Sequence, residues 1–309
     1  MVILKSSNIY KISMYFLFMK KISIIVTAYR EPHIGRCIES IINQKLPKET
    51  EIVIVAPDNK TLNIAKKYAL KDKRIRLIRD PGKGKPTALN LAFKEAKGKI
   101  LILTDGDVYL GKDSINLLIK NFNSKKVGAV SGHVIYEIKN NNLFYEWAKL
   151  SEKIFNKVRL KLNKNGKLTH PTGYLYAIRK GIIKEIPQNT LSDDALIGYL
   201  ITSKGYTIKY EPKAKVFVKF PTTTRDFINQ KTRTRAGFVQ IKKWYGYIPR
   251  RITNEIKFGI SDLIRAYHKN LLKGLIVALI YIYTWVKAII VINLNKRFDK
   301  IWTRIESTK

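Results

Sequence analysis

Between Lys20 and about residue 130 the chain alternates two periodicities, and this limits its fold more than any other feature. ISIIV, EIVIV, IRLI, KILIL and VGAVS are short β-branched apolar runs with the length and composition of buried strands. Amphipathic stretches with helical spacing lie between them at 31–44, 60–72 and 86–97. Strand–helix alternation predicts a mostly parallel sheet covered by helices on both faces. Such sheets bind ligands at the carboxyl ends of their strands. The candidates are therefore the residues just after each run: Tyr29, Arg30 and Glu31; Asp58; the loop from Gly82 to Lys85; and Asp105, Gly106 and Asp107.

A length of 309 residues suits about two domains, or one large α/β domain with an appendage. Hydrophobic residues at 45% and charged residues at 27% exclude a disordered chain. The single cysteine, Cys37, excludes an internal disulfide framework and a cysteine-based zinc site. Its place in the 31–44 stretch reads as a small buried side chain. Lys and Arg number 59 against 23 Asp and Glu, a net charge of +36. Such a chain attracts nucleic acid, acidic lipid or phosphorylated substrates, and charge alone does not choose among them.

The loop DPGKGKPTALN (80–90) matches neither a Walker A sequence nor GxGxxG. Alone it reads as a Pro/Gly turn entering a helix with Pro86 in its first turn. Asp105-Gly106-Asp107 directly follows an apolar strand, and the glycine lets two carboxylates face one side of a tight loop. Paired oxygens beside lysine-rich loops suit Mg²⁺ or Mn²⁺ shared with a diphosphate; the bland alternative is an ordinary Asp-Gly turn. Ser192-Asp193-Asp194 reads either as a helix N-cap or as a general base raised by its neighbour. Gln230, Arg233 and Gly237 share one helix face. An arginine there can clamp a diphosphate, or simply belong to a solvated basic helix. His133 and His170 have no partner at metal spacing. Tyr174 and Tyr176 alternate along a strand, and Gly173 before them permits either close approach of a ligand or core packing.

Near the C-terminus, residues 271–294 carry only two charges, Lys273 and Lys287, fourteen positions apart. The run is long enough to cross a bilayer of ~30 Å. A central Lys costs ~3 kcal/mol and each Leu, Ile, Val or Phe returns ~0.3–0.6, so insertion is near balance. Basic flanks on both sides (Arg250, Arg251 and Lys257; Lys296, Arg297 and Lys300) set no orientation. A buried hairpin or an interfacial helix is the alternative. Residues 252–267 repeat apolar positions as an amphipathic helix of the kind that lies on anionic lipid. At the other end, Met14–Met19 is too short to span and lacks a cleavage site. Residues 1–18 are expected to lie outside the fold, with Met19 as the natural first residue.

Taken in chain order, SIIVTAYRE, Asp58, GKGKPTALN, DGD, the Asp-Asp pair and Gln-x-x-Arg resemble the family 2 inverting glycosyltransferases of GT-A fold, over roughly residues 20–240. The resemblance implies an α/β, GT-A type nucleotide-binding mixed sheet flanked by helices, followed by a C-terminal helical membrane-associated segment. It divides the chain into an extension (1–18), a catalytic domain (19–240) and C-terminal helices (241–309). It implies a metal-dependent, hexosyltransferase-type enzyme moving a sugar from a nucleotide-sugar to a hydroxyl on a lipid-linked or glycan acceptor. Residue by residue, Glu31 and Asp58 would contact the nucleoside and Lys85 the diphosphate. Asp105 would support the ribose or the metal, Asp107 would hold Mg²⁺ or Mn²⁺, and Asp194 would be the base. Gln230 and Arg233 would begin the family's Gln-x-x-Arg-Trp element. Two departures stand out. The usual Asp-Asp-Gly is Ala56-Pro57-Asp58-Asn59 here, and the Trp is Thr234. Threonine offers no aromatic face to an acceptor sugar, and one candidate span cannot enclose a polymer channel, so a non-processive enzyme is expected. The protein is expected at a membrane surface, its catalytic domain facing the cytoplasm, with no nucleic-acid partner. The rivals are a sugar nucleotidyltransferase, which should carry a Gly-rich, Arg-containing loop after strand one, and a basic nucleic-acid-binding protein, whose zinc spacing or RNP-type motif is missing.

Overall fold

The computed structural model describes residues 22–249, 262, 264–268, 270–294, 301 and 304–308. The N-terminal extension, most of the 252–267 stretch and the basic flanks at 250–257 and 296–300 lie outside the described residues.

The β-branched runs become strands because each is buried on both faces, where branched side chains pack well and polar ones cost free energy. Six consecutive residues of β1 (Ile22–Thr27) are buried. Alternate side chains enter two cores, as a two-residue period requires. Ile22, Ile24 and Val26 join Ile52, Ile54, Ile100 and Ile102 on one face, while Ile25 joins Val53, Val55, Leu101 and Leu103 on the other. Each such aliphatic side chain contributes about 1.5–3 kcal/mol when fully buried.

Strands β2 (Thr50–Ala56), β3 (Ile75–Arg79) and β4 (Ile100–Asp105) run parallel to β1 in the order β3-β2-β1-β4. Helix α1 (Ile34–Ile42) covers the first face through Ile34, Cys37, Ile38 and Ile41. Helix α3 (Lys85–Glu95) covers the second through Ala88, Leu89, Ala92 and Phe93. Helix α2 (Asn59–Ala69) completes the half-domain. The helices fall within a few residues of the three amphipathic stretches, and Cys37 is fully buried as expected.

Beyond β4 the sheet departs from simple alternation. β5 (Tyr109–Leu110), helix α4 (Ser114–Lys120), β6 (Val127–Glu137), helix α5 (Tyr145–Lys164), β7 (Leu175–Arg179), helix α6 (Asp193–Thr202) and β8 (Thr207–Lys219) follow in sequence. VGAVS does not extend the parallel set. It opens the longer β6, which is separated from β4 by β7, antiparallel to both. The eight-stranded order is β3-β2-β1-β4-β7-β6-β8-β5, with β6 parallel to β8. The reversal brings the end of β4, the start of β7 and the start of α6 to one side of the sheet.

Close approach sets one glycine requirement. Gly98 donates to Ser23 Oγ at 2.7 Å, and a Cβ there would lie 2.6 Å from the Ile22 carbonyl carbon. Backbone cannot yield as a side chain can. Gly98→Ala is expected to cost about 1–3 kcal/mol, read as a fall of several degrees in Tm; an unshifted melt would refute this packing.

Helix α7 (Thr224–Tyr245) and the apolar helix α8 (Leu271–Asn293) lie side by side. Among the described residues α8 is the one helix long and apolar enough to cross a membrane, with a mean hydropathy of 2.4. One stripe of it is buried, at Val277, Thr284, Ala288 and Val291. Leu271, Leu275, Leu279, Ile282 and Ile290 are exposed.

Candidate functional site

A cleft of about 1560 Å³ opens at the carboxyl ends of β1 and β4, and Glu31, Lys85, Asp105, Asp107, Asp194, Gln230 and Arg233 line it. Seven of the eight sequence-chosen residues therefore converge, from positions up to 202 residues apart (233 − 31). Asp58 is the exception. It is the N-cap of α2 and accepts from Thr61 N at 2.9 Å and Arg30 N at 2.7 Å. Burial pushes its carboxyl up, but these N–H donors outweigh that and hold it below the usual value. Pro57 and Asp80 reach the cleft at that edge instead.

Arg30 holds a left-handed backbone at φ 49, which costs a non-glycine residue about 1–2 kcal/mol. Its N–H is tied to Asp58, and its carbonyl accepts from Arg304 Nη2 at 2.8 Å. The neighbouring Glu31 is buried, and its Oε1 accepts from His33 N at 3.0 Å at the start of α1.

Gly82 and Gly84 lie at φ 71 and 100, which explains the glycines of the 80–90 loop. Gly84 caps α3, so Lys85 is its first residue and points inward. Its Nζ lies 2.7 Å from Asp105 Oδ1 and 3.4 Å from Asp193 Oδ2. Burial alone would lower the ammonium's pKa; Asp105 and Asp193 overcome that and keep it charged. The Asp105 carboxyl is pushed up to about 6 by burial, with Lys85 opposing and Asp107 adding to the rise.

The two neighbouring aspartates divide. Asp193 turns to Lys85. Asp194 Oδ1 accepts from Ser192 Oγ at 2.7 Å and Ala195 N at 2.9 Å. Its Oδ2 lies beside Gly173, where a Cβ would come within 3.3 Å. Ser192 precedes α6 but makes no side-chain cap, so the N-cap reading holds for its position and not for its hydrogen bond. Gly237 of α7 packs directly on Ser192, which fixes α7 against this corner.

Tyr174 joins the halves. Gln230 Nε2 approaches its hydroxyl at 3.5 Å, and burial, then Tyr136, Asp107 and Asp105, push the phenol well up, against Arg233. Arg304 also lines the cleft and was not singled out in the sequence, while Tyr174 and Asp193 line it after readings that left core packing or a helix cap open. For Asp193 the signal was present, since a second carboxylate beside a candidate base needs a cation. Tyr174 follows Gly173 in an alternating run that suits either a ligand or the core, and Arg304 lies far from every motif. His133 pairs with Tyr210 and His170 packs on Phe238; neither belongs to a metal cluster among the described residues.

The donor chemistry fits a hard divalent cation. Asp105 and Asp107 offer carboxylate oxygens only, and the Asp107 charge adds to the rise that burial gives Asp105. No group of three or more His, Cys, Asp or Glu gathers at metal-binding distance among the described residues. Mg²⁺-type sites take one or two carboxylates, with substrate phosphates and water completing the shell.

The family model described as "Glycosyl transferase family 2" matches residues 23–187, just over half the chain. The "Probable glycosyltransferase YdaM" of Bacillus subtilis (strain 168) is 25% identical over 241 residues, covering 71% of this chain and 55% of its own. The poly-beta-1,6-N-acetyl-D-glucosamine synthase of Staphylococcus aureus (strain COL) is 24% identical over 232 residues, with the same coverage of 71% and 55%. The chain thus spans about half the length of these curated relatives. A mannosyltransferase from Pyrobaculum calidifontis, solved with GDP-Man and Mn²⁺, shares the GT-A fold at TM-score 0.67 and 18% identity, covering 94% of this chain and 95% of its own. GalNAc-T7, solved with UDP, GalNAc and Mn²⁺, aligns at TM-score 0.51 and 13% identity, covering 77% and 53%.

Proposed function

The chain belongs to glycosyl transferase family 2, and from that premise we propose that it is a metal-dependent, inverting, non-processive hexosyltransferase moving a sugar from a nucleotide-sugar to a lipid-linked hydroxyl. One observation carries this: Lys85 Nζ bridges Asp105 and Asp193 at 2.7 and 3.4 Å. That contact draws the glycine loop, the DGD triplet and the Asp-Asp pair around one cleft.

In the proposed mechanism the donor's nucleoside lies near Glu31 and Asp80, at the end opposite Asp194. Asp107 and Asp105 would hold Mg²⁺ or Mn²⁺, which when bound offsets charge on the leaving diphosphate. Lys85 and Arg233 add fixed positive charge to that side of the cleft. Asp194 Oδ2 takes the proton of the acceptor hydroxyl. The acceptor's hydroxyl oxygen bonds to the anomeric carbon as the carbon–diphosphate bond breaks on the opposite face, which inverts the centre. Thr234, with its hydroxyl donating to Gln230 O at 3.1 Å, has no aromatic face to hold a sliding polymer, which supports single transfers. The neighbours' GDP-Man, UDP and Mn²⁺ support a nucleotide-sugar donor and a divalent cation. The test is a panel of nucleotide-sugars with Mn²⁺ or Mg²⁺. One donor is expected to raise Tm and release nucleoside diphosphate, EDTA to abolish both, and the transferred sugar to carry the opposite anomeric configuration. A panel in which no donor binds would overturn the reading.

The proposed domain division is a catalytic unit over 19–240 and membrane-facing helices over 241–309. Helix α8 packs along α7, which carries Lys231, Arg233, Arg235, Lys242 and Lys243. Burying α8 in hydrocarbon would draw those cations in at ~3 kcal/mol each. An in-plane position on the cytoplasmic surface, apolar stripe down, avoids this. Asp262, buried, accepts from Lys153 and Lys157 Nζ at 2.9 Å each, and Ile264 is exposed. The expected result is sedimentation with anionic vesicles that weakens in high salt. A triple Leu275→Ser, Leu279→Ser, Ile290→Ser variant should lose it by tenfold or more; vesicle binding equal to the parent's would exclude this face.

A further inference from the structure

The cleft continues past the carboxylates, between α5 and α8. Its wall there contains Trp147, Tyr281, Trp285 and Arg235. The rings of Trp147 and Tyr281 lie 4.8 Å apart. The Arg235 guanidinium lies 3.9 Å over Tyr281 and 5.1 Å from Trp285, and donates to Thr284 Oγ1. The indole nitrogens of Trp147 and Trp285 are buried, and no acceptor meets either among the described residues. A buried donor without an acceptor costs about 1–3 kcal/mol, so two of them on one wall, beside a cation, point to a missing oxygen ligand.

The ligand's chemistry follows from the groups present. An indole N–H and a guanidinium donate and never accept. A sugar ring would bring hydroxyl donors that these groups cannot satisfy, whereas a phosphate ester brings acceptors and negative charge. Beyond the cluster, Ala278 and Ile282 carry the cleft wall along α8, and Ile282 belongs to that helix's exposed apolar side. We propose that this end of the cleft binds the phosphate ester of a lipid-linked sugar. The hydrocarbon chain lies along α8, the phosphate meets Arg235 and the two indoles, and the sugar hydroxyl extends to Asp194. The site rests on the transferase reading above and names its acceptor class.

The test uses the full chain and calorimetric titration below micelle concentrations with three probes: dodecyl phosphate, dodecyl maltoside and inorganic phosphate. Dodecyl phosphate is expected to bind at least tenfold tighter than either other probe. Trp147→Phe with Trp285→Phe keeps both aromatic rings and removes both N–H groups, so the parent's melt should persist while dodecyl phosphate binding weakens about tenfold. Equal binding of dodecyl maltoside would remove the phosphate; equal binding of inorganic phosphate would remove the chain. Unchanged affinity in the double variant would remove the indoles. Each overturns the site. The transferase reading fails separately. A parent that hydrolyses a nucleotide-sugar but binds all three probes alike loses only this site. One that binds dodecyl phosphate through the indoles but hydrolyses no donor loses only the transfer.

Discussion

Asp194→Asn is expected to bind the nucleotide-sugar as the parent does and to transfer it about 10²–10⁴-fold more slowly. The substitution is close to isosteric, and the surrounding geometry allows it. Ser192 Oγ and Ala195 N donate to Asp194 Oδ1, and the amide oxygen of asparagine accepts both. What disappears is basicity at Oδ2, the atom beside Gly173. Asp193→Asn is the instructive contrast. It weakens the contact with Lys85 at 3.4 Å, and its effect is expected on donor affinity before turnover. Single-turnover rates and donor affinities for both variants separate the roles. A full-speed Asp194→Asn enzyme would take the proton-abstracting role away from this residue.

Lys85→Ala is expected to destabilise the fold by about 3–5 kcal/mol, because it leaves Asp105 and Asp193 buried without their cation. Side-chain exposures of 16%, 22% and 14% for Lys85, Asp105 and Asp193 place all three well inside the protein. Burial already pushes the Asp105 and Asp193 carboxyls up with the ammonium present. Removing it should raise them further and shift the melt by many degrees at neutral pH. Mn²⁺ should restore part of the loss in the variant, because a cation at Asp105 and Asp107 takes over some of the compensation. A melt unaffected by the substitution, with or without metal, would refute the buried ion pair at the centre of the cleft.

Much of this centre is legible in the linear chain. Asp105 and Asp107 follow an apolar run, Lys85 follows two glycines that need left-handed backbone, and Asp194 opens a helix. In each case local periodicity places a polar group at the end of a strand or the start of a helix, where an α/β sheet exposes it. Asp58 meets the same rule and yet is used to cap α2, because an Asp before a helix has a local partner available at Thr61 N. The separation of VGAVS from β4 by an antiparallel strand was also beyond local reading. A buried β-branched run is equally satisfied beside a parallel or an antiparallel neighbour, and the partner comes from a strand 48 residues further on (175 − 127).

The sequence by itself determined the alternating core, the glycine loop, the acidic positions and the apolar length of α8, because those depend on hydrophobic period and backbone conformation over a few residues. Only the tertiary structure decided which carboxylate of Asp193 and Asp194 turns to Lys85, that Tyr174 stands between the acidic triplet and α7, and that Trp147, Arg235 and Trp285 share one wall. Those outcomes depend on how helices pack over the sheet. Packing joins side chains across more than a hundred positions by shape and charge, which no local pattern encodes.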